Sequence, residues 1–522
     1  MTTTKPGEVV GPLDRGLSVL RAVVAGDGGR RGLGEIARTT GLARATVDRV
    51  ATTLTALGVL RAEGRDLLLA PGAAELGNAY LDFCGLPELL GPHAAALAEL
   101  LDAPVSLAVP DGDGVRFLTQ ATRRRAMAIS FRPGDLLPLE RCAPGALFAA
   151  DHSKKQYADD AGFLARVRDA RERGVAVDDQ LIEPGLVAVA LPVRDPSGAV
   201  VCAVSVVSHT SRHDAAALEA LALPPLRRTV AAMEAALADG AAPPEAPEAV
   251  GRAVGVALKE DLGSGFLQSL ARGLDVLRAF GAVRGPARLT DLARIAGLPR
   301  ATARRSLLTL CHLGYVREDA GGFVLLPRVL ELGHARLSAL TLPEIATPHL
   351  VRLVRTVRES ASVAVLDGDD IRYVARVAGS RLLHIDIVVG TRLPAYATSM
   401  GRVLLGALPE AERDERLGRI VPEALTPRTL TGGGELREAV AVTAERGFGW
   451  VEEELEEGLR SIAVPLRDGS GRVVAALNVA LHAGRSTPEE SLSALLPQLR
   501  ETACRISADL AAVGRHTPVP SA

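Results

Sequence analysis

The sequence predicts an α+β protein in which one two-part unit occurs twice. A long internal repeat covers most of the chain. Each copy opens with helical periodicity that glycine interrupts and a short strand pair closes, and each continues with longer strand–turn–strand runs between helical segments.

The repeat is direct to read. Leu33 to Arg49 returns as Leu289 to Arg305, 256 residues further on. Gly77 meets Gly333, the Asp111–Asp113 turn meets Asp367–Asp369 and Gly145 meets Gly401 in the same register, after which about seventeen residues are added in the second copy. Solenoids repeat every ~20–50 residues, so this period marks a duplicated multidomain unit instead. A length of 522 residues agrees, since domains of ~100–150 residues give about four, two per copy. The expected divisions are 1–78 and 79–237, a linker over 238–264, then 265–334 and 335–514.

Composition narrows the class. Net charge is −2, so any nucleic-acid surface must be local. The five cysteines (Cys84, Cys142, Cys202, Cys311, Cys504) are scattered without CxxC spacing, which indicates neither a disulfide framework nor a zinc site. Met1 to Val10 has no apolar signal core, and no stretch approaches the ~18 uninterrupted apolar residues of a membrane span. The expectation is a cytoplasmic protein without membrane association, metal or cofactor. His384 and His482 have no Cys, Asp or Glu at a recognisable motif spacing and no glycine-rich phosphate loop occurs, which argues against catalysis.

The elements follow in order. Leu17, Leu20 and Val24 in the segment Leu13 to Val24, and Leu270, Leu274 and Leu277 in Phe266 to Phe280, recur at helical spacing. In the second copy Leu289, Leu292, Ala293 and Ala296 form one apolar face, Gly297 ends that helix, and a second helix runs through Ser306, Leu307 and Leu310 until Gly314. Tyr315 to Leu326 is two apolar runs around a Gly-Gly turn, a β-hairpin. Helix, glycine turn, helix and hairpin make a winged helix. Connecting helices are expected over Pro71 to Phe83 and Pro327 to Ala339. Beyond them, Ser362 to Ala375 and Ser461 to Leu477 each read as strand, Asp-Gly turn, strand, which fits a sensor domain with an antiparallel sheet. The Ala/Pro/Gly-rich join from Ala238 to about Gly265 reads as a linker.

Two motifs carry chemistry. Pro299 to Gly314 holds Arg300, Thr302, Arg304 and Arg305 and no acidic residue. Arginine forks read guanine edges or bind phosphate and hydroxyls contact backbone, as a major-groove helix requires. A solvated arginine-bearing face is the plain alternative, and the glycine turn and hairpin around it favour the DNA reading. The first copy keeps Arg44, Thr46 and Arg49 but carries Asp48 in place of Arg304, which weakens its expected grip. The second motif, Pro394 to Leu405, is a strand end entering a helix, where Thr398 and Ser399 are capping residues and free backbone N–H groups attract a carboxylate. It converges with Leu455 to Ser461 and with Asn478, polar residues on otherwise apolar strands.

These residues resemble two fused copies of an IclR-type transcriptional regulator, over roughly Leu13 to Leu237 and Phe266 to Val513. The strings Phe266 to Leu274, Pro394 to Arg402 and Glu453 to Ser461 are similar to the subgroup that controls protocatechuate and para-hydroxybenzoate catabolism through the β-ketoadipate pathway. The resemblance implies winged helices bound to operator DNA, GAF-like effector domains and pairing through the N-terminal domains. It also implies a small carboxylate, aromatic or not, held by backbone amides matching Ser399 and Met400 and by side chains matching Ser461, Asn478 and Ala480, the last replacing a hydroxyl found in some relatives. Tyr396 and Arg460 flank these positions and are added as candidates for an anionic or aromatic ligand.

The first copy departs where the ligand would sit. Pro144 stands in place of Met400, Val187 of Arg460 and Ala188 of Ser461. It is expected to be architectural, a built-in partner for a ligand-sensing second copy. One chain then imitates the family's dimer, or two double-unit chains pair as a homo-oligomer. The alternative of another class is a small-molecule carboxylate-binding protein that has lost specific DNA binding.

Overall fold

The computed structural model describes residues 9–122, 130–151, 160–240, 262–379 and 387–521. Residues 241–261 of the expected linker, and His384, lie outside them. The chain divides into two compact units, residues 1–339 and 340–522, so the first holds both winged helices and one sensor domain and the second holds the other sensor.

In the first winged helix, helices Gly11–Val24, Leu33–Thr40 and Arg44–Ala56 are joined to a three-stranded antiparallel sheet of Arg30–Gly32, Leu60–Glu63 and Asp66–Leu69, its first strand lying between the first two helices. The second has helices Gln268–Ala279, Leu289–Ile295 and Arg300–His312 and the hairpin Val316–Asp319/Gly322–Leu325. Gly41 and Gly297 make the turn between the last two helices at φ 68° and 63°, a left-handed conformation glycine adopts without strain. The third strand of the second sheet is reduced to a single Ala287–Phe323 bridge. Pro286 stands where the first copy has Arg30, and a proline has no N–H for the ladder.

The two winged helices face one another across a local pseudo-dyad. Leu13 packs over Gly273, and its counterpart Leu270 packs over Gly16. The Val10 amide donates to Thr309 Oγ1 at 2.9 Å, and the Leu267 amide donates to Thr53 Oγ1 at 2.9 Å. Both threonines are fully buried and donate in turn to the carbonyls of Arg49 and Arg305, four residues earlier on the helices expected to read DNA. Residue i meets j and j meets i, the signature of a two-fold interface, here closed within one chain.

Symmetry fails in the connecting segments, correcting the expectation of two equivalent helices. The first copy forms a 3-10 turn, Pro71–Ala73, and a helix, Ala74–Cys84; the second forms a 3-10 helix, Pro327–Leu332, then breaks at Gly333 (φ 116°) before the short helix His334–Leu337. The matching Gly77 remains helical because its bare face receives the His334 ring, while Gly333 receives Leu69. Two identical segments cannot both occupy this crowded axis, and glycine at each lets them take different backbones.

Each sensor is a six-stranded antiparallel sheet of one topology. Spatial order in the first is Leu136–Pro138, Gly114–Ala121, Val105–Asp111, Val200–His209, Leu186–Arg194, Ala176–Asp179, and in the second Arg392–Pro394, Asp370–Val377, Ser360–Asp367, Val473–His482, Leu459–Arg467, Gly449–Glu452. Long helices Leu86–Leu101 with Ala215–Asp239, and Leu342–Val357 with Pro488–Gly514, pack on these sheets. In the second sensor a further cluster joins Ala364, Ile371 and Ala463 on the sheet to Val403, Leu404 and Leu405 of helix Ser399–Gly406 and to Leu436 and Val440 of helix Gly433–Arg446.

The pairing of first helices leaves no room for a Cβ at Gly16 or Gly273, whereas one on Gly34 would meet open space. Gly16→Ala and Gly273→Ala should each destabilise the first unit by about 1–3 kcal/mol through overpacking, and Gly34→Ala should be neutral or slightly stabilising. Urea midpoints compared across the three variants check this, and equal midpoints would contradict the packing.

Candidate functional site

The expected DNA-reading residues lie together on the two third helices. Arg44 and Arg49 are exposed on the first and Thr46 is half-buried; Arg300, Arg304 and Arg305 are exposed on the second and Thr302 is half-buried. Arg300, Arg304 and Arg305 form no ion pair with any described residue, so their guanidinium groups remain available to an anion. Asp48 is exposed where the second copy has Arg304, and the two surfaces therefore differ by two charges at one equivalent position.

The second sensor contains a cavity beside helix Ser399–Gly406. Ser399, Met400, Ser461 and Asn478 line it, and so does Ala480. Thr398 caps the helix by accepting from the Gly401 amide at 3.0 Å, and the Ser461 hydroxyl donates to Ser399 Oγ at 2.8 Å, tying strand to helix. The Asn478 side chain is 4% exposed, and its Oδ1 has no hydrogen-bond partner among the described residues. A buried amide oxygen left so is costly unless a ligand or water supplies a donor.

Sequence reasoning missed the other half of the polar lining. Arg376 and Ser362 sit opposite each other on neighbouring strands, and Ser362 sits opposite Asn478 on the next, so the three form one row across the sheet and face the cavity. Tyr373 and Thr398 also line it, with Ile387, Leu455 and Leu459 as apolar wall. Burial pushes the Tyr373 phenol up to about 12, which keeps it neutral. The signal was alternation along the strand after Ile371, but the row exists only in the lateral register that pairing creates.

Two candidates lie elsewhere. Arg460 adjoins Ser461 on its strand and so points to the opposite face. There it donates to the Ser486 carbonyl at 2.7 Å, Ser491 Oγ at 3.0 Å and Glu452 at 2.5 Å, and lies over the Trp450 ring. Tyr396 is buried in the core cluster, its hydroxyl accepting from the Glu423 amide at 3.0 Å and donating to the Glu423 carbonyl at 3.1 Å. Both side chains brace the sensor. The Val187-for-Arg460 exchange in the first copy therefore removes a buried ion network, and its loss says nothing about a ligand.

Among the described residues no group of His, Cys, Asp or Glu is placed to hold a metal, and no helix is long and apolar enough to cross a membrane.

Paired winged helices, each with a sheet-based sensor, define a DNA-binding transcriptional regulator and not an enzyme. The sequence profile of the IclR helix-turn-helix domain matches residues 12–64 and 269–320, and that of the bacterial transcriptional regulator IclR C-terminal domain matches residues 78–234 and 334–508. The chain belongs to the IclR family, with the family's complete architecture present twice. It is similar to the Pca regulon regulatory protein of Pseudomonas putida, 46% identical over 235 residues that make up 45% of this chain and 81% of that protein. The p-hydroxybenzoate hydroxylase transcriptional activator of Acinetobacter baylyi is 35% identical over 243 residues, 46% of this chain and 90% of that one. The crystal structure of a transcriptional regulator from Rhodococcus sp. RHA1 aligns at 50% identity over 48% of this chain and all of its own, with a TM-score of 0.44.

In the first sensor, Asp178 occupies the place of the cavity residue Val451. It is 1% exposed, its Oδ1 accepts from the Leu181 amide at 2.8 Å, and burial pushes its carboxyl up to about 6. An acid with a raised folded-state pKa contributes stability that is present at low pH and lost as pH rises through 6. Asp178→Asn keeps the acceptor without the charge, so it should stabilise the protein by roughly 1–3 kcal/mol at pH 7.5, with the gain shrinking towards pH 4.5. Thermal melts of both proteins across this range check the sign.

Proposed function

We propose that one chain grips one operator with its two winged helices and adjusts that grip when a small aromatic carboxylate enters the cavity of the second sensor. The observation that carries the ligand is the convergence of Arg376, the opening turn of helix Ser399–Gly406 and the unsatisfied Asn478 amide in one cavity walled by Tyr373 and aliphatic side chains. A guanidinium and helix-start amides are donors suited to a carboxylate, the Asn478 oxygen calls for a donor such as a ring hydroxyl, and the walls suit a flat apolar ring. The Gly401 amide is taken by Thr398, which leaves those of Ser399 and Met400 for the ligand. The relatives named for the Pca regulon and for p-hydroxybenzoate hydroxylase support acids of that pathway, with protocatechuate and para-hydroxybenzoate ahead of the aliphatic β-ketoadipate.

The pseudo-dyad supports a single chain as the DNA-binding unit in the cytoplasm. Arg44, Thr46 and Arg49 would meet one half-site, and Arg300, Thr302, Arg304 and Arg305 the other. Because Asp48 and Arg304 would face equivalent bases, the operator is an imperfect inverted repeat, its better half under the second copy. The ligand acts by binding more tightly to one arrangement of the sensor than to another, which shifts the population of DNA-competent chains.

Fluorescence anisotropy on DNA upstream of the chain's own coding sequence, with and without each of the three acids, tests this reading. Specific binding altered by an aromatic acid is the expected result; specific binding indifferent to all three would discard the ligand class, and absence of specific binding would leave a carboxylate-binding protein. Arg376→Gln should weaken the effective acid by about 10- to 100-fold, the loss of one charged hydrogen bond, in a calorimetric titration of the full chain. Replacing both Arg304 and Arg305 by alanine should lower the slope of log affinity against log salt by about 1 per phosphate contact removed. An unchanged slope would mean that neither touches phosphate.

A further inference from the structure

We propose that the first sensor is already occupied, by its own Phe131, and that a chain with two sensors therefore takes one effector. The stoichiometric half of this inference rests on the reading of the second cavity as the effector site; the occupancy of the first does not.

The two sensors share a topology, so each position lining the second cavity has a counterpart in the first. Ile387 corresponds to Phe131 and Tyr373 to Phe117. These two rings stack, with centroids 4.4 Å apart and planes 23° from parallel. Leu459, Ser461 and Ala480 correspond to Leu186, Ala188 and Val207, and Leu455 to Ile182. In the first sensor Leu186, Ala188 and Val207 form a buried apolar cluster, and the half-buried Phe131 and Ile182 pack against it. Where the second sensor has a space with a hydroxyl in its wall, the first has a phenyl ring among aliphatic side chains.

The polar row is converted in the same way. Arg376, Ser362 and Asn478 become Gln120, Ser106 and Ser205, again opposite one another on three strands. Gln120 Nε2 donates to Ser106 Oγ at 3.1 Å, and Gln120 Oε1 accepts from the Phe131 amide at 2.9 Å. Groups that would face a ligand are thus bonded to each other and to the backbone of the residue that supplies the ring. At the helix start, Ala143 and Pro144 replace Ser399 and Met400, so one amide donor is absent. Cys142 replaces the capping Thr398, and burial holds its thiol neutral, pushed up to about 12. These changes remove anion recognition or add apolar filling, and Asp178 places a carboxyl where Val451 lines the second cavity. The ring stands where a ligand's ring would lie, and no carboxylate site remains beside it.

Removing a ring packed against apolar side chains leaves an apolar gap of its own shape, which a neutral aromatic molecule of that size can refill. In the full-length chain, Phe131→Ala should lower the melting temperature by several degrees, and millimolar benzene should restore part of the loss while raising the wild-type melting temperature less. Recovery no greater than the wild-type response, or an unchanged melting temperature, would overturn the proposal. If that variant does not fold, Phe131→Ile installs the second sensor's residue and opens a smaller gap; benzene should then slow hydrogen exchange in strand Leu186–Arg194, and no slowing would count equally against it. Calorimetry of the wild-type chain with para-hydroxybenzoate should give one site per chain, and two sites would overturn the stoichiometry. Absence of heat with every acid would sink the effector reading of the second sensor and leave the benzene experiment to decide the first.

Discussion

Everything distinctive about this molecule depends on two glycines. Gly16 and Gly273 let the first helices of the two copies approach until Leu13 and Leu270 cross over bare backbone, and the reciprocal bonds from the Val10 and Leu267 amides then fix the register. Those bonds end on Thr309 and Thr53, which lie on the helices carrying the exposed arginines. Side chains at the pseudo-dyad therefore set the spacing of the two arginine-bearing helices. Packing supplies the attraction, and two buried hydroxyl bonds supply the alignment.

Around that shared axis the copies diverge in ways with separate physical causes. Pro286 removes a ladder donor and with it a strand. Crowding at the axis forces Gly77 and Gly333 into different backbones. In the first sensor, apolar side chains and a bonded Gln120–Ser106 pair occupy the positions that line an open cavity in the second. On the proposed function, the first sensor, filled by its own side chains, acts as a scaffold and the second, with its unsatisfied amide, as the receptor.

Much of this was legible in the chain. The repeat, the glycine turns and the hairpins reflect local spacing, and local spacing survives folding, so the winged helices and the strand pairs around Asp367 and Asp468 appear where periodicity places them. The cavity-lining residues Ser399, Ser461 and Asn478 were legible because a capping sequence and polar interruptions of apolar strands mark them, and Met400 through the family resemblance. Arg376 and Ser362 were not, because they become neighbours of Asn478 only when three strands take their register. Arg460 misled for the complementary reason: it is next to Ser461 in sequence, and in a strand adjacency means opposite faces. The broken helix at Gly333 was hidden because the side chain crowded against that glycine, Leu69, comes from the other copy.

The reciprocal pairing of Leu13 and Leu270 has an evolutionary consequence. In a homodimer every substitution appears twice, so a proline at the sensor helix start would enter both sensors at once. Here the two faces of the dyad are encoded by different codons of one gene, and a change such as Pro144 falls on one side only. Fusion makes the halves genetically independent while keeping them physically paired, so one could change its ligand-facing positions without altering the other. Within each chain the two winged helices pair at a fixed local concentration, so that pairing does not weaken on dilution.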